Sequence, residues 1–164
     1  MKTLSWLAPF VVALSLAGCA QNPVTSLAPA DGGFTVQMPG KVKEDAATKG
    51  TRMFLSEVDG IGFLVSYTDF GQRLKSLSPD QMLDAARNGM VSSKNKVISE
   101  EKINFEGRPG RDLRLITRNG FHMRLKLVLT ETRLYQVGAA APKDKASSPD
   151  IDQFIESFHF TGAH

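Results

Sequence analysis

A single cysteine, Cys19, stands in 164 residues, so the chain closes no disulfide within itself and builds no thiolate metal site of the usual multi-cysteine kind. Histidine is nearly as scarce. His122 falls on the polar side of a strand pattern, and His159 and His164 stand at the tail, so a histidine-based triad would need folding alone to bring its members together. No H-E-x-x-H, no G-x-S-x-G, no P-loop, no dinucleotide fingerprint and no cluster of metal ligands is present, and neither a cofactor nor catalysis is expected. Gly60-Ile61-Gly62 is a lone G-x-G inside a hairpin pattern and signals no nucleotide. Charge of one sign is also lacking: 20 basic against 17 acidic residues leave +3, too slight a balance for a nucleic-acid partner. Nor is there a long apolar run. The one near the start, Leu4 to Leu16, is about 13 residues and carries Pro9, whereas a bilayer needs roughly 20.

That short run is informative for what surrounds it. Met1-Lys2 is positively charged, the apolar stretch follows, and Ala17-Gly18 are small enough for a peptidase cleft, which reads as a secretory signal over residues 1–18. Leu16-Ala17-Gly18-Cys19 resembles the lipobox of bacterial lipoproteins, in which the cysteine thiol receives a diacylglyceryl group and the chain is cut just before it. The rival is ordinary cleavage after Ala20, with the thiol discarded. The resemblance implies lipidation at Cys19 and a domain held to a membrane in the cell envelope, facing the periplasm. Two acyl chains anchor in effect permanently, where one alone binds only marginally. Ala20 replaces the aspartate that would favour inner-membrane retention, so in a two-membrane host the resemblance favours the outer membrane. Residues 19–33, rich in Ala, Pro, Gly and Ser, are expected as the lipidated cysteine and a flexible tether; the fourteen from Ala20 to Gly33 would span up to roughly 50 Å.

Residues 34–164 are expected to form one domain, a length suited to a single hydrophobic core. Two helices announce themselves alike. Ser78-Pro79-Asp80 and Ser148-Pro149-Asp150 each place a hydroxyl at the N-cap, proline at the first helical position and a carboxylate where the helix dipole favours it. Gln81 completes a capping box with Ser78. Met82, Leu83, Ala86 and Met90 in the first helix, and Ile151, Phe154, Ile155 and Phe158 in the second, recur at helical spacing, so each has one face to bury.

Strands alternate elsewhere. Arg52 to Val58 and Ile61 to Phe70 flank Asp59-Gly60, a tight-hairpin signal, and Phe34 to Met38, Val97 to Glu106 and Leu134 to Ala141 supply further strands. Phe63, Val65 and Tyr67 share one face of their strand and Leu64 takes the other, which predicts cover on both sides. Between Arg111 and Leu129 two strands meet around Asn119-Gly120. A two-residue turn would set Leu115 against Arg124. A three-residue Arg118-Asn119-Gly120 loop instead pairs Leu115 with Met123, Leu113 with Leu125, Asp112 with Lys126 and Arg114 with Arg124, and this register is preferred. Adjacent Glu100 and Glu101 point to opposite strand faces and are expected to be solvated or salt-bridged. The expected fold is α+β: a mostly antiparallel, twisted sheet of about seven strands with two main helices packed on it.

The order of these elements resembles the PsbP-like sandwich. Phe34-Thr35-Val36-Gln37-Met38-Pro39-Gly40 lies near the start, Gly107-Arg108-Pro109-Gly110-Arg111 in the middle and Ser148-Pro149-Asp150 near the end. The resemblance implies a non-catalytic binding or assembly module and carries across no individual functional residue. One charge asymmetry suggests where binding would occur: from Arg108 to Arg133 seven basic residues face two acidic ones, and Arg114, Arg124 and Lys126 share one sheet face in the preferred register. Such a face suits an anionic lipid or glycan, or an acidic envelope protein. The alternative is that the helix carrying Asp150, Asp152 and Glu156 lies nearby and neutralises it. The functional expectation is a membrane-anchored binding or assembly lipoprotein. A structural or stress-related envelope lipoprotein without a ligand, and an unrecognised hydrolase, are the other two classes.

Overall fold

The computed structural model describes residues 23–48, 50–72, 77–92 and 94–162. Its strands are β1 (Val24–Leu27), β2 (Phe34–Pro39), β3 (Lys43–Thr48), β4 (Thr51–Val58), β5 (Ile61–Asp69), β6 (Lys96–Phe105), β7 (Arg108–Ile116), β8 (His122–Leu129), β9 (Arg133–Ala141) and β10 (His159–Phe160), with helices α1 (Pro79–Ser92) and α2 (Pro149–Glu156). Seven strands form one sheet in the order β3-β4-β5-β9-β8-β7-β6, every neighbour antiparallel, and β1-β2-β10 form a second, small sheet. The fold is the α+β sandwich expected from the sequence.

Strand alternation gives the large sheet two apolar faces. On one, Phe63, Val65 and Tyr67 of β5 and Tyr135, Val137 and Ala139 of β9 meet Phe34, Val36 and Met38 of β2 and Ile151, Phe154, Ile155 and Phe158 at α2. Phe34 sits at the centre, its ring within 5.2–6.4 Å of Phe54, Tyr67, Tyr135 and Phe158, mostly edge-on as ring quadrupoles prefer. On the other face, Leu113 and Leu115 of β7 and Leu125, Leu127 and Leu129 of β8 pack with Leu83 of α1, and Met82, Ala86 and Met90 cover them in part. The methionine stripe of α1 is thus packed against the core.

Local signals decide the turns. Asp59 and Gly60 both hold positive φ, at 53° and 76°, the two-residue hairpin conformation that matches strand twist. Glu106 and Gly107 repeat it at 49° and 79° between β6 and β7. The β7–β8 loop has three residues, Thr117 bonding back to Phe121 at 2.8 Å, with Gly120 at φ 82°. Leu115 faces Met123, Leu113 faces Leu125, Asp112 faces Lys126 and Arg114 faces Arg124, the preferred register throughout. The capping box is formed: Gln81 N–H donates to Ser78 Oγ at 3.2 Å and Ser78 N–H to Gln81 Oε1 at 2.8 Å.

The stretch expected as tether departs from expectation. Val24–Leu27 forms β1, an edge strand on β2, and the turn after it is pinned by Tyr135 Oη, which donates to the Gly32 carbonyl at 2.8 Å in the core. β1 escaped hydropathy patterning because it satisfies the outer backbone groups of β2 while burying little; of its side chains Leu27 packs against the core. Strand β3, with the polar sequence KEDAAT, escaped for the same reason.

α1 is held by a buried guanidinium as well as by leucines. Arg111, 3% exposed, donates from Nη2 to Asp80 Oδ1 at 2.7 Å and Asp84 Oδ1 at 3.0 Å, both on α1, and its Nε reaches Glu100 Oε1 of β6 at 3.3 Å. Glu100 also takes Arg87 of α1 at 3.0 Å, and Lys102 reaches Asp80 at 3.1 Å. Arg111, then Lys102, hold the Asp80 carboxyl below the usual carboxylate range. A carboxyl whose pKa is depressed by folding stabilises above its unfolded pKa, about 3.9, and that stability is lost as pH falls through the folded value. Arg111→Met keeps most of the volume and removes the main cause of that depression. Its melting temperature is expected to fall less steeply than the parent's as pH drops from 5 to 3, and equal slopes in a calorimetric pH series would contradict the coupling.

Candidate functional site

Register brings the predicted basic residues together. Arg114 and Arg124 are paired across β7 and β8, Lys126 lies two residues on, and all three point to the α2 side of the sheet. Two of the three are engaged there. Arg124 donates from Nη2 to Asp112 at 3.2 Å and from Nη1 to Asp152 of α2. Burial works against its charge, but Asp112 and Asp152 outweigh it and raise the pKa. The Lys126 ammonium stands 4.3 Å over the Phe105 ring, and burial pushes its pKa down. Arg114 alone of the three is exposed and has no ion pair among the described residues; it lines a recess of about 240 Å³ with Ile98, His122, Arg124 and Ser147. The helix carrying Asp152 therefore neutralises the centre of this face and leaves Arg114 as its free cation.

A larger recess, which the sequence reading did not anticipate, lies on the opposite face. α1 packs over β7 and β8, and Leu134 at the start of β9 shares its apolar cluster; the far ends of β5 and β9, with β4, lie beyond that cluster. There an open cavity of about 570 Å³, within the roughly 300–1,000 Å³ of small-molecule sites, is lined by Leu55, Gly62, Leu64, Met123, Gly138 and Ala140. Its rim carries Lys41, Lys43 and Glu57. Pairing places these side by side: Leu55 against Leu64, Leu64 against Gly138, and Ala140 against both Gly62 and Met123. The cavity exists because the β5 and β9 positions at its floor are small. At Gly138 an added Cβ would lie 2.6 Å from the Arg124 carbonyl and 2.8 Å from Leu125 Cδ1, so close strand packing admits glycine there. The legible signal was the run Gly138, Ala140 on β9 beside Gly62 on β5, small residues that share the Leu64 face and cannot fill it.

Other polar groups serve the frame. Asp31 binds Arg52, which also takes Glu44 at 2.7 Å, and the Asp31 carbonyl accepts from Arg133, itself joined to Asp69 at 3.0 Å, so the β1–β2 turn is clamped to β4 and β9. Glu100 is salt-bridged, as expected. His159 Nδ1 meets Glu106 at 2.8 Å on the exposed tail. Among the described residues no three His, Cys, Asp or Glu side chains cluster as metal ligands, and no helix is long and apolar enough to cross a membrane. Cys19 and the segment before it lie outside the described residues.

No protein-family model matches the chain, and no curated protein sequence matches it. Solved structures do. The chain is similar to cyanobacterial PsbP (CyanoP) from Synechocystis sp. PCC 6803, with a TM-score of 0.60 at 13% identity over 89% of this chain and 97% of that one. It also aligns, with a TM-score of 0.45 at 14% identity over 74% of this chain and 84% of the other, with PA94 from Pseudomonas aeruginosa, a protein of unknown function described as a putative regulator. The first likeness makes the fold PsbP-like.

The ion pairs reset what charge reversal does on the basic face. Arg124→Glu sets a third carboxylate between Asp112 and Asp152 and is expected to lower the melting temperature by at least about 4 °C, the equivalent of about 1 kcal/mol in a domain of this size. Arg114→Glu is expected to stay within about 2 °C of the parent. Equal shifts in differential scanning fluorimetry would contradict the pairing.

Proposed function

We propose that this chain is a membrane-anchored lipoprotein of the cell envelope whose PsbP-like domain acts by binding rather than by catalysis, with the open recess beside Leu64 as its contact site. The observation that carries the reading is the recess itself. It is concave and apolar, floored by rigid strands and rimmed by two lysines and one glutamate, which is the make-up of a site that holds a ligand or a protruding side chain. Leu16-Ala17-Gly18-Cys19 supports attachment, since a diacylglyceryl group on Cys19 would make anchoring permanent in effect. Ala20, by the lipoprotein resemblance, favours the outer membrane where there are two, with the domain facing the periplasm. Arg114, with Arg124 and Lys126 behind it, is the second surface at which an anionic lipid, a glycan or an acidic envelope protein would make contact.

Fractionation with in-cell photo-crosslinking tests both halves. The parent chain is expected in the membrane fraction with a diacylglyceryl mass on its first peptide, and Cys19→Ser in the soluble fraction. A photoreactive residue in place of Leu64 is expected to give one reproducible adduct that is lost when Ala140→Trp fills the recess. An unmodified amino-terminal peptide would overturn the anchor, and an adduct indifferent to Ala140→Trp would overturn the contact site.

A further inference from the structure

One end of the large sheet gathers unpaired positive charge around the point where the chain departs toward residue 19. Strand registers define this end. There β4 turns into β5 at Val58 and Ile61, Ala141 closes β9 opposite His122 at the start of β8, and Ile116 closes β7 opposite both His122 and Lys96 at the start of β6. Lys41 and Lys43 lead into β3, whose Lys43 pairs with Leu55 near the end of β4. Lys143 and Lys145 follow β9, with Lys145 Nζ donating to the Asp59 carbonyl at 2.5 Å. Arg118 stands in the β7–β8 loop, which is tied by its N–H to Asn95 Oδ1 at 3.1 Å and so lies beside Lys96.

All six cations are exposed, and none belongs to an ion pair among the described residues. Glu57, Asp59 and Asp144 stand among them and Asp150 opens α2 five residues after Lys145, so these carboxylates are fewer than the six cations. Two of the exposed large apolar side chains share it: Val24, 59% exposed at the start of β1, and Phe121, 40% exposed, which closes the β7–β8 loop.

The chain leaves the domain here too. Gly40 N–H donates to the Pro23 carbonyl at 2.7 Å and Thr25 Oγ1 to the Gly40 carbonyl at 3.1 Å, which fixes Pro23 beside Lys41. Ala20, Gln21 and Asn22 then stand between Cys19, the lipidation site, and Pro23, four residue steps in all. Four residues span at most about 14 Å, against the roughly 50 Å of a fourteen-residue tether. Surface potential decays over about 8 Å at physiological salt, so a domain held this closely feels the charge of the headgroups.

We propose that this end of the sheet is a docking surface for anionic phospholipid headgroups. Lys41, Lys43, Lys96, Arg118, Lys143 and Lys145 lie over phosphates, and Val24 and Phe121 enter the interface. The membrane is the one that holds the anchor, so the proposal rests on the lipoprotein reading. Docking holds the strands upright on the bilayer, with the rim lysines of the recess next to lipid.

Vesicle sedimentation tests it with residues 19–164 carrying Cys19→Ser, a chain that keeps every described residue. Vesicles of equal parts phosphatidylglycerol and phosphatidylcholine are expected to bind it at least about tenfold more tightly than phosphatidylcholine alone, less so as salt rises. Lys41→Gln with Lys43→Gln is expected to weaken that binding about tenfold, while Arg87→Gln with Lys102→Gln, the same charge change on the α1 side, leaves at least half of it. Equal binding to both vesicles, or equal losses in the two double variants, would overturn the docking surface. If the native chain carries lipid and the soluble chain ignores anionic vesicles, docking fails and the anchor stands. A native chain without lipid removes both.

Discussion

A seven-stranded sheet has two faces, and among the described residues there is too little else to cover them. The small sheet and α2 close one side around the ring of Phe34. On the other, one helix of fourteen residues, about 21 Å long, lies over β7 and β8. The far ends of β5 and β9, with β4, are left on that side to side chains that must make a surface tolerable to water by being small, and Gly62, Gly138 and Ala140 are small. The recess follows from that shortage of cover.

The same shortage explains where the charges went. α1 is anchored over its leucines by Arg111, whose guanidinium lies among three carboxylates, because one narrow apolar stripe on a short helix fixes neither its height nor its rotation on the sheet. On the opposite face Asp152 of α2 docks on Arg124. Guanidinium groups reaching from the sheet to helix carboxylates thus set both helices in place. The basic face is largely a piece of that architecture, and a group of six cations without ion pairs among the described residues lies at the end of the sheet beside Pro23.

Much of the fold was legible in the sequence because its signals were local and stereochemical. Ser-Pro-Asp twice marked a helix start, and Asp59-Gly60 and Asn119-Gly120 marked turns whose lengths fixed register, so Leu113 and Leu125 were matched across strands from one-dimensional pattern alone. β1 and β3 were not legible, since edge strands that bury little carry no alternation. The recess was invisible for a related reason: periodicity reports what is large and apolar, and a site made of glycine and alanine is written in what is missing. The grouping of Arg114 with Arg124 and Lys126 was correctly placed on one face, but whether a neighbouring acid claims each cation is settled by helix docking, a contact 28 residues distant in the case of Arg124 and Asp152.

Whether the Leu64 face is open is the question on which the rest turns, and it is measured most directly by methyl NMR of the protein in the presence of a water-soluble gadolinium chelate. The Leu55, Leu64 and Ala140 methyls are expected to be broadened strongly while those of Leu125 and Leu127, beneath α1, keep their intensity. Leu64 and Ala140 methyls as protected as Leu125 would show that the face is covered, and the binding site proposed there would not exist.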